Sequence, residues 1–451
     1  MPQPDPGTID ELAVQSLDAE PLTWADKGVP PELWGRSAAE AAGLRVPLSR
    51  FPTPQLTLSG RGLRHNIATM ARWCAERSLD LAPHGKTTMA PRLWAEQLAA
   101  GAWGITVANL PQLAVARGFG VSRVLVANAI VSPLSLRYVA DQLAGDQGAQ
   151  VICWADDVRT VALMEAALAA YAPSLQAGYR PLEVLVEVGG QNGRTGARDV
   201  ETAVEVARAI ATAPYLRLLG IGGYEGAIAD GSDDDSLASV RAFLGSVRAT
   251  YERVAGAGLF EDDLVPVVTA GGSAYFDDVA EVLGPLTDQG VRVVLRSGAY
   301  LTHDDGHYRH LSPLGAHPRT GGDGLVSAIH AWVRVSSQPE PGLALVDAGK
   351  RDLPYDLDLP EVQLLRPRDG RGAPQRLTGL TITAVNDQHG FVRWDSGRQD
   401  GGRPAPIMIG DELRLGVSHP CTAFDKWRVI PIIDDPDAAD PMVLGFVRTF
   451  F

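Results

Sequence analysis

From Gln55 onward, short apolar runs alternate with longer segments whose apolar residues recur every three to four positions. The runs fall near 79–83, 103–107, 124–127, 151–154, 182–188, 216–221, 265–269 and 291–295. Between them stand Ala-rich stretches such as PRLWAEQLAAG, DDVRTVALMEAALAAY and VETAVEVARAIATA, which fit helices. Ahead of them, QLTLSG predicts a short strand and RGLRHNIATMARWCAERS a helix, with Leu63, Ile67, Met70 and Cys74 on one face. Runs apolar on both faces are what buried parallel strands require. Eight such units within about 220 residues predict an α/β fold, a (β/α)8 barrel of the TIM type. An open doubly wound sheet is the rival; no G-x-G-x-x-G follows the first run, and the count stops at eight.

At RTGGDG, 319–324, the pattern changes. SAIHAWVRVSS, GLALVDAG, GLTITAV, HGFVRW and DELRLGV alternate with period two between turn signals, and no long helical pattern remains. The expectation is an N-terminal arm or lid over 1–50, a barrel over 51–320 and a second, mostly β domain over 321–451. The tail closes with a strand-like VLGFVRTFF.

Composition narrows the function classes. The 451 residues carry 54 acidic and 40 basic side chains, a formal charge of −14. That balance disfavours nucleic acid and anionic membranes as partners. Apolar residues at 45% and charged ones at 21% exclude wholesale disorder. Three cysteines make no disulfide framework, no uncharged apolar stretch reaches about 18 residues, and the start is polar and acidic. A cytoplasmic protein is expected.

Barrel enzymes carry their working groups at the C-terminal strand ends. Here those ends offer PHGKTTM with His84 and Lys86, then Asn128, GGQNGRTG with Gln191 and Arg194, GGYEG with Tyr224, AGGS, and RSGAY. Phosphate groups in this architecture sit on the loops after strands seven and eight. Gly271, Gly272, Ser273, Gly298 and Tyr300 supply small residues, backbone N–H groups and hydroxyls at that place; ordinary turn glycines are the plainer alternative. Lys86 follows Pro83 and His84 in an otherwise apolar run. A desolvated lysine has a lowered pKa and can form an imine, so lysine plus phosphate cup suggests pyridoxal phosphate; a surface lysine beside a turn is the alternative. In SHPCTAFDKW, His419 and Cys421 stand two apart, and extended backbone would put both on one side. Imidazole and thiolate suit Zn²⁺ in an open site, with a buried structural cysteine as the alternative. Cys74 and Cys153 read as core. HDDGHYRH, with His303, His307 and His310, reads as an acidic polar loop, and the Asp233, Asp234, Asp235 run as a solvated one.

Taken together these segments resemble the D-serine dehydratase / D-threonine aldolase family of the alanine racemase-like pyridoxal phosphate enzymes (fold type III), from about Gln55 to Asp434. LAPHGKTTMAPRLWAEQLAAGAWGITVAN resembles its cofactor-lysine segment, which implies Lys86 as the cofactor lysine. NGRTG resembles its arginine motif, which implies contact of Arg194 with the cofactor's phenolic oxygen. Tyr224 would shape the cofactor pocket, and Gly271, Gly272, Ser273, Gly298 and Tyr300 would form the phosphate cup. SHPCTAFDKWRVIPIID resembles the dehydratase form of the metal motif, implying His419 and Cys421 as ligands of Zn²⁺, with Mn²⁺ as the alternative. Aldolase members usually carry aspartate at the second position. Two departures stand out: Thr88 follows Lys86-Thr87 where a histidine is more common, and the N-terminal arm is long. The resemblance implies a dehydratase (ammonia-lyase) of D-3-hydroxy amino acids such as D-serine, giving a 2-keto acid and ammonia, and a homodimer. A retro-aldol lyase, a racemase and a non-catalytic pyridoxal phosphate carrier are the competing readings.

Overall fold

The structure, a computed structural model, describes residues 6–171, 180–191, 193–366, 373–396 and 406–451. Strand β1, Gln55–Ser59, precedes eight parallel strands: β2 Asp80–Leu81, β3 Ile105–Val107, β4 Arg123–Ala129, β5 Gln150–Ala155, β6 Leu182–Val188, β7 Leu216–Gly223, β8 Val267–Ala270 and β9 Arg292–Leu295. Each of the eight expected runs became one of these strands. Their order is β2-β9-β8-β7-β6-β5-β4-β3. The Trp103 N–H donates to Leu81 O at 2.7 Å, the Thr106 N–H donates to Pro83 O at 2.9 Å, and His84 bridges Thr106, which brings β3 back against β2. Inside, Leu125, Ile152, Leu185, Leu219, Val267 and Val294 fill the cylinder. Outside, Val124, Val126, Val151, Val184 and Val186 meet the helices. Apolar residues on both strand faces therefore build two packed layers, as parallel strands demand.

The second unit is an antiparallel sheet, here β10 Ile329–Glu340, β11 Leu343–Val346, β12 Glu361–Arg366, β13 Gln375–Arg376, β14 Leu380–Val385, β15 Gly390–Trp394, β16 Glu412–Gly416, β17 Val429–Ile433 and β18 Val443–Arg448. Its main order is β13-β12-β16-β10-β1-β17-β18. Strand β1 lies within it: Gln55 faces Trp332 antiparallel, and Leu58 faces Ile432 parallel. A boundary drawn at residue 51 therefore does not separate the units in space, because the strand at Gln55 belongs to the second sheet. The helix Gly60–Ala75 then carries the chain into the barrel.

The arm holds two short helices, Glu11–Ser16 and Ala38–Gly43, the second with a reciprocal Ser37–Glu40 capping box. Leu22, Val29, Leu33, Leu48 and Phe51 pack with Trp332, Val429, Ile433 and Phe446 of the β domain. The Gly7 and Asp10 N–H groups donate to Ala102 O and Phe119 O of the barrel. The arm thus straps the two units together, and none of its described residues borders the cavity at the barrel mouth. The Asp run is solvated, as expected, but it starts a helix rather than a loop: Asp233 caps the helix Asp234–Gly256, and Asp234 and Asp235 fill its first turn, where acidic charge meets the helix dipole.

Candidate active site

A cavity of about 250 Å³ opens at the C-terminal ends of the barrel strands. Lys86, Asn128, Arg194, Tyr224, Gly272, Ser273, Gly298 and, from the β domain, Cys421 all border it. Lys86 lies on a short turn, Gly85–Thr87, that follows β2. It makes no hydrogen bond or ion pair with the described residues. Burial lowers its pKa, with Arg194 and Arg296 acting in the same sense and the Cys421 sulfur opposing. Beside it His84 is buried with Nδ1 unpartnered, and burial followed by the Lys86 and Arg296 charges drives its pKa far down, so the ring is neutral.

The loop after β6 is built around its backbone. Arg198 donates to Gly190 O at 2.9 Å, Thr195 O at 3.0 Å and Gly193 O at 3.1 Å, tying the turn that carries Arg194. The Arg194 guanidinium lies 4.8 Å from the centre of the Tyr224 ring. Gln191 is exposed and lies outside the cavity lining, and Asn192 is outside the described residues.

The expected phosphate cup is only partly free. Gly271 and Gly272 both donate their N–H groups to the buried Glu225 carboxylate, at 2.9 and 2.5 Å. Those amides hold the loop rather than an anion. Gly271 has φ +95°, and a Cβ on Gly272 would sit 2.9 Å from the Tyr224 ring, so glycine is required at both. Tyr300 points away: its hydroxyl accepts from Gln97 Nε2 at 2.9 Å inside the core, leaving only its backbone near the cup. Ser273 and Gly298 remain on the cavity wall. A Cβ at Gly298 would lie 2.6 Å from His84 O, so this glycine lets the β9 loop close on the Lys86 segment.

His419 and Cys421 do converge, but through a turn. His419 is extended, and Pro420–Thr422 forms a tight turn in which proline takes the first position, where its fixed φ fits. His419 Nδ1 lies 2.8 Å from Asp356 Oδ2, and the Cys421 side chain is close enough to act on its ring charge. Burial disfavours charge on His419, yet Cys421 and Asp356 outweigh it and raise the pKa to about 9. Thr87 Oγ1 lies 3.5 Å from Cys421 Sγ, joining the Lys86 turn to the metal-motif turn. Among the described residues no third His, Cys, Asp or Glu completes a closed cluster. Nitrogen plus sulfur donors with open positions fit a Zn²⁺ that also takes water or substrate.

HDDGH is not a solvated loop. His303 is 3% exposed and Asp304 fully buried, where its carboxylate caps the helix His307–Leu311 through the Gly306 and Tyr308 N–H groups. The Asp305 and His307 N–H groups donate to Val417 O and Ser418 O, which sets Tyr308 on the cavity wall and His307 5.7 Å from the His419 ring. Arg296, Glu187 and Tyr308 are cavity residues that the sequence reading did not single out. The first two had a signal: each is a charge at or next to the C-terminal end of an apolar strand, in VVLR and LEVLVEV. Arg296 is fully buried, donates to Thr269 Oγ1 and Gly223 O at 2.6 Å, and stacks 4.9 Å from Trp154; burial lowers it to about 10.

Glu187 accepts from Thr195 Oγ1 at 2.6 Å, and burial raises its carboxyl from 4.5 to about 7. The fold therefore favours its protonated form. The stability this contributes is complete below about pH 4.5 and is lost as pH rises through about 7. In cofactor-free protein, urea unfolding of wild type should weaken relative to Glu187→Gln across that window, by on the order of 2 kcal/mol. Parallel pH curves for the two proteins would contradict this.

Residues 328–433 match the family model described as "Putative serine dehydratase domain", the stretch that spans most of the β sheet and includes His419 and Cys421. The D-threonine aldolase of an Arthrobacter species is 27% identical over 392 residues, 86% of this chain and 91% of its own. The D-threo-3-hydroxyaspartate dehydratase of Delftia sp. (strain HT23) is 25% identical over 397 residues, 83% and 92% of the two chains. In three dimensions the D-threonine aldolase from Filomicrobium marinum superposes with a TM-score of 0.71 at 24% identity, covering 90% of this chain and 97% of its own. Over most of its length the chain is thus similar to proteins of the D-serine dehydratase / D-threonine aldolase family. The barrel plus β-domain architecture expected from the sequence is the fold this family shares with alanine racemase-like structures. The relatives' names, an aldolase and a dehydratase, are those of lyases.

Proposed function

We propose that the protein is a pyridoxal phosphate- and divalent metal-dependent lyase of D-3-hydroxy amino acids, acting as a dehydratase that releases a 2-keto acid and ammonia. One observation carries the reading: a single cavity is bordered by an unpaired, half-buried lysine from the barrel and by the sulfur of a His–Cys pair from the β domain. When bound, pyridoxal phosphate supplies an electron sink for the pair left at the substrate's α-carbon. Lys86 would hold the cofactor and, as a free amine favoured by burial, take the α-proton. Ser273 and the backbone of the Gly298–Tyr300 turn would hold the phosphate, with Glu225 keeping the Gly271–Gly272 loop in shape. Arg194, above Tyr224, would face the ring's oxygen edge. His419 and Cys421 would hold the cation, which would supply Lewis acidity toward the departing β-hydroxyl. The thiolate favours Zn²⁺ over the harder Mn²⁺. Exposed Tyr355 and Leu357 near Asp356 offer apolar surface that a second copy of the chain would cover.

The relatives named above include an aldolase, so retro-aldol cleavage is the second reading, favoured by its 27% identity. Cys421, where aldolase members usually carry aspartate, favours elimination. The two part on products from a panel of D- and L-3-hydroxy amino acids. Ammonia and keto acid in equal amounts from D substrates are expected. Glycine with an aldehyde would replace the dehydratase assignment.

A further inference from the structure

Asp356 lies on the connection between β11 and β12, 63 positions before His419, and belongs to none of the motifs read from the sequence. Both its carboxylate oxygens are committed to the metal-motif turn. Oδ2 lies 2.8 Å from His419 Nδ1, and Oδ1 accepts from Thr422 Oγ1 at 2.6 Å. The partners stand on either side of Cys421, so one carboxylate spans the turn that presents the sulfur. The His419 ring is packed edge-on by His307, with centroids 5.7 Å apart, and tilted against Tyr308 at 5.8 Å.

We propose that Asp356 is a positioning residue that fixes the orientation of His419, so that Nε2 rather than Nδ1 faces the cation beside Cys421. A neutral imidazole has one N–H and one lone pair. With Nδ1–H donating to Asp356, the lone pair falls on Nε2, leaving that nitrogen to take the cation. Asp356 sits at the far edge of the ring and is an orienter, not a ligand. With only two protein donors gathered among the described residues, affinity depends strongly on how well each is held before the ion arrives.

The inference rests on the metal-dependent reading above, and its test separates the two. Zinc affinity is measured by competition with a chromophoric chelator on the pyridoxal phosphate-loaded protein, for wild type, Asp356→Ala and Thr422→Val. Asp356→Ala should bind zinc about 10–100-fold more weakly. Thr422→Val, which frees one carboxylate oxygen, should show a smaller loss, about 3–10-fold. Both should keep the wild-type cofactor spectrum. In the cobalt-loaded forms the thiolate-to-cobalt charge-transfer band should shift or broaden in Asp356→Ala. Asp425→Ala, an exposed carboxylate on the next turn, should bind as wild type does. Unchanged zinc affinity in Asp356→Ala, or in Thr422→Val should the first variant not fold, overturns the positioning role while leaving the metal reading intact. Failure of wild type to bind zinc or cobalt at all overturns both.

Discussion

Replacing Lys86 by alanine is expected to reduce kcat/KM by at least about 10⁴-fold, because in the proposed reaction one side chain would both tether the cofactor and move the α-proton. The same variant should lose the absorbance band of the lysine-linked cofactor while pyridoxal phosphate still binds weakly through the phosphate loop. Stability gives an independent check. Lys86 has no hydrogen bond or ion pair to lose, and burial lowers its pKa, so the fold disfavours its charge. Removing it should leave the cofactor-free protein as stable as wild type or slightly more so. Ordinary structural lysines behave the other way: alanine costs stability and spares activity. A Lys86→Ala protein that keeps the absorbance band, or that unfolds readily while the remaining folded fraction is active, would refute the assignment.

What was legible in the sequence follows from what each residue's environment depends on. The eight barrel strands were legible because a parallel strand buried on both faces must be apolar throughout, whatever its neighbours. Lys86, Arg194 and Tyr224 border one cavity because strand ends of a barrel converge whatever lies between them, and the β domain brings Cys421 to the same cavity. The failures come from long-range partners and from local turns. QLTLSG pairs with strands more than 270 residues away, and alternation alone does not name the partner sheet. The glycine amides of AGGS looked free because their acceptor, Glu225, arrives from the preceding strand's loop. Tyr300 looked like a cup hydroxyl, but the short turn Ala299–Leu301 rotates it into the core toward Gln97. His303 and Asp304 read as part of a polar loop because such residues usually are; here backbone donors compensate the burial of Asp304, while the His303 Nδ1 is buried without a partner. His419 and Cys421 meet through a proline turn rather than strand alternation, so the pairing was right and its geometry was not.

Stripping divalent ions with a chelator should lower turnover about 10²–10⁴-fold while the cofactor absorbance persists. Hydroxide is a poor leaving group, and coordination of the β-oxygen offers several kcal/mol of stabilisation at about 1.4 kcal/mol per tenfold in rate. The residues proposed to hold the cofactor lie at the barrel strand ends and those proposed to hold the cation on the β domain, so the two losses should be separable. Cys421→Ala and His419→Ala should each reproduce the chelated state, and added Zn²⁺ should rescue the chelated wild type but neither variant. Cys421→Asp is the sharper experiment. It exchanges a soft donor for a hard one, so Mn²⁺ should gain on Zn²⁺ in restoring activity. If the sulfur also selects elimination, glycine and aldehyde should rise against keto acid and ammonia in that variant. Full activity in wild type freed of metal, verified by elemental analysis, would remove the cation from the reaction and leave the His–Cys pair as a hydrogen-bonded clasp between the β domain and the Lys86 turn.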